Sequence, residues 1–181
     1  MEALSMRRNL PHYTYEDYCQ WEGRWELIDG IPYAMSPLPL PAHQRAGGRL
    51  FMAFEQPLLK RCDHCTAYPP IDWKVKDDMV LQPDFLVVCG EVKKPYIDFP
   101  PVMVAEILSP STALKDRNTK FDIYESEGVK YYLILDVQLK EMQVYELTDG
   151  KYELVSVNPS SFDFTFHDDC SISVSLGEVW D

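Results

Sequence analysis

The sequence predicts one α/β (α+β) domain with a central mixed β-sheet, flanked by helices and extended by β-hairpins. The first observation is the segment 102–108, VMVAEIL, which is apolar on both faces like a central buried strand. Helical periodicity before and after this segment is the second. The third is a pair of Asp-Gly turn signals, each between apolar segments. With 181 residues, 46% of them hydrophobic, the chain has the composition of a folded globular domain rather than a disordered one.

The sequence of the N-terminal part predicts short secondary-structure elements followed by one long helix. We expect residues 1–13 to be an N-terminal segment and residues 14–181 to form the single domain. Thr14 is the predicted N-cap of a short helix ending near residue 21, and Asp29-Gly30 is the turn of a hairpin over 24–36. A proline-rich connector, 36–43, then leads into a helix over 42–60, whose apolar face contains Ala46, Leu50, Ala53 (or Phe54) and Leu58.

The central part predicts neighbouring strands. Residues 65–75 and 80–89 are apolar and β-branched, and Lys76-Asp77-Asp78 separates them. The strand 102–108 follows. The remaining predictions are a helix over 113–126 with N-cap Ser111 or Thr112 and a stop at Gly128, a strand over 130–137, a hairpin over 141–157 about Asp149-Gly150, and a strand over 170–175.

The charge balance limits the possible partners. The chain has 29 acidic and 17 basic residues, a formal net charge of −12, which on average repels a phosphate backbone and argues against non-specific coating of nucleic acid. No apolar run long enough for a membrane span or a secretory signal stands out, so we expect a cytoplasmic protein without membrane attachment. The odd, scattered set of five cysteines predicts reduced thiols: Cys19, Cys62, Cys65, Cys89 and Cys170.

Two carboxylates mark a candidate site. Glu106 lies on the same face of the predicted buried strand as two valines and a leucine, where an unpaired carboxylate costs several kcal/mol. Asp84 follows Pro83 at the start of the preceding strand. If the two strands are neighbours, Asp84 and Glu106 converge at one edge of the sheet and repel unless a divalent cation or a lysine lies between them. Hard oxygen ligands suit Mg²⁺ or Mn²⁺.

Lys120 is the candidate lysine, on the helix after Glu106. Asp116 and Lys120 are four residues apart and share a helical face with Tyr124. In a phosphodiester hydrolase such a lysine orients the attacking water or stabilises the charge of the transition state. A solvated Asp116–Lys120 ion pair without a functional role is the alternative.

Together these residues resemble the PD-(D/E)XK nuclease superfamily and, more closely, its Uma-type putative restriction endonuclease family. The resemblance covers roughly residues 14–155. It rests on the order and spacing of Trp25–Gly30, His43, Pro83-Asp84, Glu106 in VAEILSPST, Asp116-Arg117, Lys120, Tyr124 and Gly128-Val129.

The resemblance implies a restriction-endonuclease-like core, Asp84 and Glu106 as Mg²⁺ (or Mn²⁺) ligands, and Lys120 as the catalytic lysine. The lysine that the superfamily places two residues after the acidic residue is absent, since position 108 is leucine. Glu26 either completes the acidic cluster or lies on an exposed hairpin strand. His43 either contacts the site water or phosphate, or caps its helix.

The predicted function is metal-dependent endonuclease cleavage of DNA by a homodimer without an organic cofactor. A catalytically inactive nuclease-fold module for binding or oligomerisation is the alternative, favoured by Leu108 and by the net charge of −12. Hydrolysis of a small phosphate ester is a third possibility. A small basic mouth beside the site is predicted from Lys115, Arg117 and Lys120 on one helix and Arg45 and Arg49 on another.

Two further patterns favour structural explanations. Cys62-Asp63-His64-Cys65 has the spacing of a zinc knuckle, and His167 and Cys170 are distant partners in principle. Because no second pair of cysteines stands out, loop cysteines are the preferred interpretation. The aromatic residues between Tyr13 and Trp25 are typical of a base-stacking platform or of packing, and packing is preferred.

Overall fold

The computed structural model describes residues 11–35, 40–109, 116–167 and 170–180. The strands in these ranges are β1 (Trp25–Ile28), β2 (Ile31–Ala34), β3 (Cys65–Tyr68), β4 (Trp73–Lys76), β5 (Met79–Leu81), β6 (Phe85–Cys89), β7 (Met103–Leu108), β8 (Tyr131–Asp136), β9 (Glu141–Thr148), β10 (Lys151–Val157), β11 (Ser161–His167) and β12 (Cys170–Ser175). The helices are α1 (Tyr15–Tyr18), α2 (Pro41–Arg61) and α3 (Phe121–Ser126). A π-helical turn, Asp116–Lys120, leads directly into α3, and a 3₁₀ helix, Gly177–Trp180, follows β12.

A six-stranded mixed sheet forms the centre, with strand order β10-β9-β8-β7-β6-β3. The strand β7 pairs antiparallel with β6 and parallel with β8. Parallel pairing requires a crossover, and the segment containing the π-helical turn and α3 connects these two strands. All six residues of β7 are buried, which confirms the prediction of a central strand apolar on both faces apart from Glu106.

The hairpins follow the Asp-Gly signals. Asp29 and Gly30 have φ values of 49° and 74°, and Asp149 and Gly150 have 50° and 77°, which is the left-handed pair that a two-residue turn between strands requires. The first turn joins β1 to β2, and the second joins β9 to β10. Both predicted hairpins are therefore confirmed.

The two strands predicted over 65–75 and 80–89 are each broken in two, which corrects the sequence prediction. The first predicted strand becomes β3 and β4, and the second becomes β5 and β6. Strands β3 and β6 pair in the six-stranded sheet, whereas β4 and β5 pair in a separate four-stranded sheet of order β2-β1-β5-β4. The breaks fall at Pro69-Pro70 and at Gln82-Pro83, because proline donates no hydrogen bond to a ladder. The second break ends just before β6 begins, and it leaves Asp84 next to β6.

Two apolar cores enclose the six-stranded sheet. On one face, α2 and the β11-β12 hairpin pack together, with Phe54 of α2 lying 5.2 Å from Phe85 and 5.1 Å from Phe164 between ring centroids. On the other face, α3 and strands of the four-stranded sheet pack together, with Trp73 stacked on Tyr124 at 6.0 Å.

Helix boundaries agree with the sequence, with small differences. The short helix after Thr14 is confirmed, although it ends at Tyr18, and α2 begins at Pro41, inside the predicted connector, since proline is accepted in the first helical turn. The stop at Gly128 is confirmed by a φ of 78°. The proposed N-caps Ser111 and Thr112 lie outside the described residues. The sequence predicted β12 but missed β11.

No helix in the described ranges is both long enough and apolar enough to cross a membrane.

Candidate metal and catalytic site

Asp84 and Glu106 are brought together by the pairing of β6 with β7. Phe85 is opposite Ala105 in this antiparallel pair, so the next position places Asp84 opposite Glu106. Asp84 Oδ2 accepts the backbone N–H of Ile107 at 2.9 Å and lies 3.1 Å from Nε2 of His43 on α2. The two strands are neighbours, which meets the condition set for Asp84 and Glu106 to converge, and the Asp84 carboxylate is held by groups from two elements.

Lys120 is buried among three carboxylates. Its Nζ lies 2.7 Å from Oε1 of Glu26, 2.8 Å from Oε1 of Glu106 and 3.6 Å from Oδ1 of Asp116. None of the four side chains is more than 3% exposed. We call Glu26, Glu106, Asp116 and Lys120 the buried charge cluster.

Neighbouring side chains and backbone hold this cluster in place. The Tyr124 hydroxyl donates to Oε1 of Glu106 at 2.6 Å. The backbone N–H of Gln82 donates to Oε1 of Glu26 at 3.1 Å, and the Tyr132 hydroxyl donates to the carbonyl oxygen of Asp116 at 2.9 Å. These contacts come from α3, from the break between β5 and β6, and from β8, and they position the carboxylates of Glu106 and Glu26 and the backbone of Asp116.

Burial and charge shift the pKa values in the cluster. Burial lowers the pKa of Lys120, but the charges of Glu106, Glu26 and Asp116 outweigh it and hold that pKa well above its ordinary value. Burial raises the pKa of Glu106 well above its ordinary value, with Lys120 opposing this rise and the Asp116, Asp84 and Glu26 charges adding to it. The Lys120 ammonium is therefore stable, and Glu106 needs more positive charge than Lys120 supplies to ionise readily.

The donor set fits a hard divalent cation. With all three carboxylates ionised and Lys120 protonated, the buried charge cluster would carry a net charge of −2. Burial and this excess of negative charge oppose the ionisation of Glu106, and Asp84 adds another carboxylate nearby. Carboxylate oxygens are the ligands that Mg²⁺ and Mn²⁺ prefer. A divalent cation between Asp84 and Glu106 would offset this negative charge and favour the ionised form of Glu106.

An open cleft of about 350 Å³ reaches the site from one side. Its lining includes Arg24, His43, Gly47, Gly48, Asp84 and Ile107. A Cβ at Gly48 would meet no heavy atom within 4 Å, so the helix backbone borders open space there. Asp84 lines this cleft, while the buried charge cluster is closed to solvent.

The structure places each predicted site residue. Glu26 is fully buried, so the exposed-strand alternative is wrong, and Asp116 is also buried, so the solvated ion pair is wrong. His43 contacts Asp84 and does not cap α2, whose N-cap is Leu40.

The predicted basic mouth is wrong for two of its members. Lys120 is 2% exposed and is surrounded by carboxylates, and Arg49 donates to the backbone carbonyl of Glu178 at 2.9 Å, beside the 3₁₀ helix. Arg117 lies near Gln143 Oε1, at 3.3 Å. Lys115 lies outside the described residues. A helical position on the sequence does not say which side faces solvent, and this is why the prediction failed.

Sequence reasoning missed Arg24 and Gln82. The Arg24 guanidinium donates to Oε1 of Gln82 at 2.7 Å, and Gln82 in turn donates through its backbone to Glu26. Gln82 directly precedes Pro83-Asp84, and this position was the available signal, but an uncharged amide on its own indicates no chemistry.

The fold is of the nuclease-like class. The structure is similar to the crystal structure, at 1.96 Å resolution, of a putative nuclease belonging to DUF820 from Anabaena variabilis, with a TM-score of 0.71. The similarity covers 92% of this chain and 97% of the other at 15% sequence identity. At this identity the similarity establishes a shared fold only.

The family is shown by the sequence match. The Uma2 family model, described as "Putative restriction endonuclease", matches residues 14–174, and the chain belongs to this family. An uncharacterized protein from Synechocystis sp. is 29% identical in an alignment of 166 positions that covers 82% of this chain and 82% of the other. The family resemblance drawn from the motifs is confirmed.

Proposed function

We propose that this protein is a metal-dependent endonuclease that hydrolyses phosphodiester bonds of DNA. The observation that carries the proposal is the buried charge cluster, with Asp84 opposite Glu106 on neighbouring strands and Lys120 bonded to Glu106. Burying three carboxylates around one ammonium is costly for stability alone. A site that handles a cation and a negatively charged phosphate gives a functional reason for that cost.

Asp84 and Glu106 are the proposed ligands of Mg²⁺ or Mn²⁺. When bound, such an ion supplies positive charge to the phosphate and lowers the pKa of a water molecule. His43 and the Ile107 N–H hold the Asp84 carboxylate in the lining of the cleft. The Tyr124 hydroxyl holds Glu106, and burial keeps that hydroxyl protonated because it raises the tyrosine pKa.

Lys120 is the proposed source of a fixed positive charge. Its three carboxylate neighbours restrain its Nζ and keep it protonated. From that position its positive charge would stabilise the charge that develops on the phosphate, and orienting the attacking water would require one N–H to leave its carboxylate partner. Because position 108 is leucine, we propose that Lys120, at the end of the π-helical turn, supplies this charge. Its Nζ lies 2.8 Å from Oε1 of Glu106.

Glu26 and His43 have supporting roles in this proposal. Glu26 positions Lys120 through the 2.7 Å contact, without facing the cleft. His43 lines the cleft beside Asp84, where its ring also reaches a water or phosphate oxygen of a bound substrate.

The decisive test compares plasmid and single-stranded DNA cleavage by the wild type and by Asp84→Asn, with Mg²⁺ or Mn²⁺. Asp84 is the best position because it lies at the cleft and its amide analogue has the same shape. We expect the cleavage rate to fall by about 100-fold or more, as for the loss of a metal ligand. Asp163→Asn, at an exposed position on β11, is the matched control and should cleave like the wild type.

Two results would contradict the proposed nuclease function. One is equal cleavage by Asp84→Asn, Glu106→Gln and the wild type. The other is a wild type that neither cleaves DNA nor binds Mg²⁺ or Mn²⁺ in calorimetry, which identifies a non-catalytic module. The homodimer stays a prediction, for which sedimentation velocity of the full chain is the measurement.

A further inference from the structure

Four of the five cysteines meet in one group, although they are far apart in the sequence. Cys62 ends α2, Cys65 lies on β3, Cys89 on β6 and Cys170 on β12. Cys62, Cys65 and Cys170 are all buried. The interpretation as separate loop cysteines is therefore wrong, because the packing of α2 and the β11-β12 hairpin against the sheet closes these distances. The prediction of reduced thiols is contradicted by the disulfides Cys62–Cys170 and Cys65–Cys89. We call this set the four-cysteine cluster.

The four cysteines form two disulfide pairs, and one sulfur of each pair lies close to a sulfur of the other. The structure has disulfides Cys62–Cys170 and Cys65–Cys89, and Sγ of Cys170 lies 3.7 Å from Sγ of Cys65. In a tetrahedral site with zinc–sulfur bonds of about 2.3 Å, neighbouring sulfurs are about 3.8 Å apart. The spacing between the two pairs thus matches one edge of a zinc tetrathiolate.

The local chain has the form of a zinc knuckle. Cys62 and Cys65 have two residues between them, and the Cys65 N–H donates to the Cys62 carbonyl at 3.1 Å, which closes the turn. The second pair of ligands, missing from the sequence pattern, comes from β6 and β12. Cys89 is opposite Cys65 in the antiparallel ladder.

We propose that the reduced four-cysteine cluster binds one Zn²⁺ through the thiolates of Cys62, Cys65, Cys89 and Cys170. Reduction takes two equivalents of a dithiol, each of which breaks one S–S bond, leaves two protein thiols and becomes an intramolecular disulfide itself. Zn²⁺ then replaces the four thiol protons, which are released to solvent.

The chemistry of the ligands favours zinc over the ion proposed at Asp84. Thiolates are soft ligands that prefer zinc, whereas carboxylate oxygens prefer Mg²⁺ and Mn²⁺. Four protein ligands leave no open position, which is typical of a structural site. This site would fasten the end of α2 to β3, β6 and the β11-β12 hairpin.

The two sites are separate in space. His43 and Cys62 are about 28 Å apart along α2 at 1.5 Å per residue, and Asp84 and Cys89 about 16 Å apart along β6. They share no ligand. Loss of one site therefore leaves the other testable.

Histidines border the cluster, and the experiment has to separate their contribution. One ligand atom of His64 lies within 4.8 Å of the sulfurs of Cys65 and Cys89, and the ring of His167 is 5.9 Å from that of His64 between centroids. In the proposed site, four thiolates complete the coordination and both imidazoles stay outside it.

The test uses the full chain, reduced with a phosphine that does not hold zinc, desalted without oxygen and titrated with Zn²⁺ alone. We expect one zinc per chain by elemental analysis. A thiol reagent should modify the four cluster cysteines much faster before zinc than after it, whereas exposed Cys19 should react at the same rate in both states. Co²⁺ in place of zinc should give the intense thiolate-to-metal absorption of a tetrahedral tetrathiolate.

Matched variants then assign the ligands. Cys89→Ser and Cys170→Ser should bind zinc at least 100-fold more weakly, while Cys19→Ser, His64→Ala and Asp84→Asn should keep one zinc per chain. A reduced wild type that binds no more zinc than Cys89→Ser overturns the proposal. So does zinc binding that leaves the reactivity of the four cluster thiols unchanged. A loss of zinc affinity in His64→Ala equal to that in Cys89→Ser overturns the four-thiolate ligand set. Because the first result is measured on the wild type, a variant that fails to fold does not decide the outcome.

Discussion

At the scale of single residues, the arrangement around Lys120 accounts for most of what is unusual in this protein. One ammonium is shared by Glu26, Glu106 and Asp116, which come from β1, β7 and the π-helical turn. A buried ion pair is often no more stable than an apolar substitute, but removal of one member leaves its partners without compensation. Each member is therefore expected to have a measurable effect on folding, independent of catalysis.

Replacement of Glu26 by glutamine tests this positioning role. We expect Glu26→Gln to reduce the free energy of unfolding by about 1–3 kcal/mol, because a charge-assisted contact to Lys120 is lost while Glu106 and Asp116 remain. Urea unfolding of the variant and of Glu22→Gln, an exposed control four residues earlier, gives the comparison. In the cleavage assay, Glu26→Gln should lower kcat and leave KM unchanged. Equal stability of the two variants would contradict the shared-lysine arrangement.

At the scale of elements, short strands and tight turns align residues for the site. The break at Gln82-Pro83 lets one chain segment pass from the four-stranded sheet, where β5 pairs with β1, to the six-stranded sheet, where β6 pairs with β7. Glu26 on β1 and Asp84 before β6 are thereby linked through a few residues. The register of β1 is set by its turn at Asp29-Gly30, since Ile28 is opposite Ile31.

Two glycine turns provide a matched pair of variants for this scale. Gly30 and Gly150 have nearly equal positive φ values, 74° and 77°, but a Cβ at Gly30 would lie closest to the ring of His12, and one at Gly150 would meet nothing within 4 Å. We expect Gly150→Ala to cost about 1 kcal/mol from backbone strain alone. Gly30→Ala should cost more, because His12 must leave its 3.0 Å contact with Asp78. Urea unfolding measures both, and equal costs would show that His12 adjusts freely.

At the scale of the whole molecule, tyrosines in the two cores make folding sensitive to alkali. Burial raises the pKa of Tyr131 to about 12 and raises the pKa values of Tyr18, Tyr132 and Tyr152 further. A folded-state pKa above the unfolded value means that the neutral hydroxyl is favoured in the fold. This contribution to stability is complete below the unfolded pKa of about 10 and is lost as the pH rises through the folded values.

We therefore expect the free energy of unfolding to fall steeply above about pH 10. Urea titrations between about pH 8 and 11, followed together with tyrosinate absorbance at 295 nm, provide the measurement. Most of the tyrosinate absorbance should appear as the protein unfolds and not before. Tyr131→Phe should make the free energy of unfolding fall less steeply with rising pH. Complete ionisation of the tyrosines near pH 10 with the fold intact would contradict the prediction.

The net charge of −12 also belongs to this scale. The buried charge cluster holds three of the acidic residues, but the surface that remains is still acidic. The described part of the cleft contributes Arg24 and no lysine to its lining. Long DNA is therefore expected to bind through the metal and the cleft rather than through a broad basic face, and this binding should weaken with added salt.

The sequence by itself determined the family, both Asp-Gly hairpins, the buried strand β7 and the identity of Asp84, Glu106 and Lys120 as candidates. These are local properties: turn residues with positive φ, apolar runs and the order of short motifs are readable within a few positions. The pairing of β6 with β7 stayed a condition in the sequence reasoning, although consecutive strands in a chain often lie side by side, and the structure supplies it.

Only the tertiary structure decided which charges are buried and which cysteines meet. Glu26 joins Lys120, and Cys170 joins Cys62, across 94 and 108 positions of the chain. Such contacts depend on how helices and sheets pack, and no local pattern encodes that packing. For the same reason, Lys120 was expected at a basic mouth and lies instead inside the buried charge cluster, where three carboxylates replace its water.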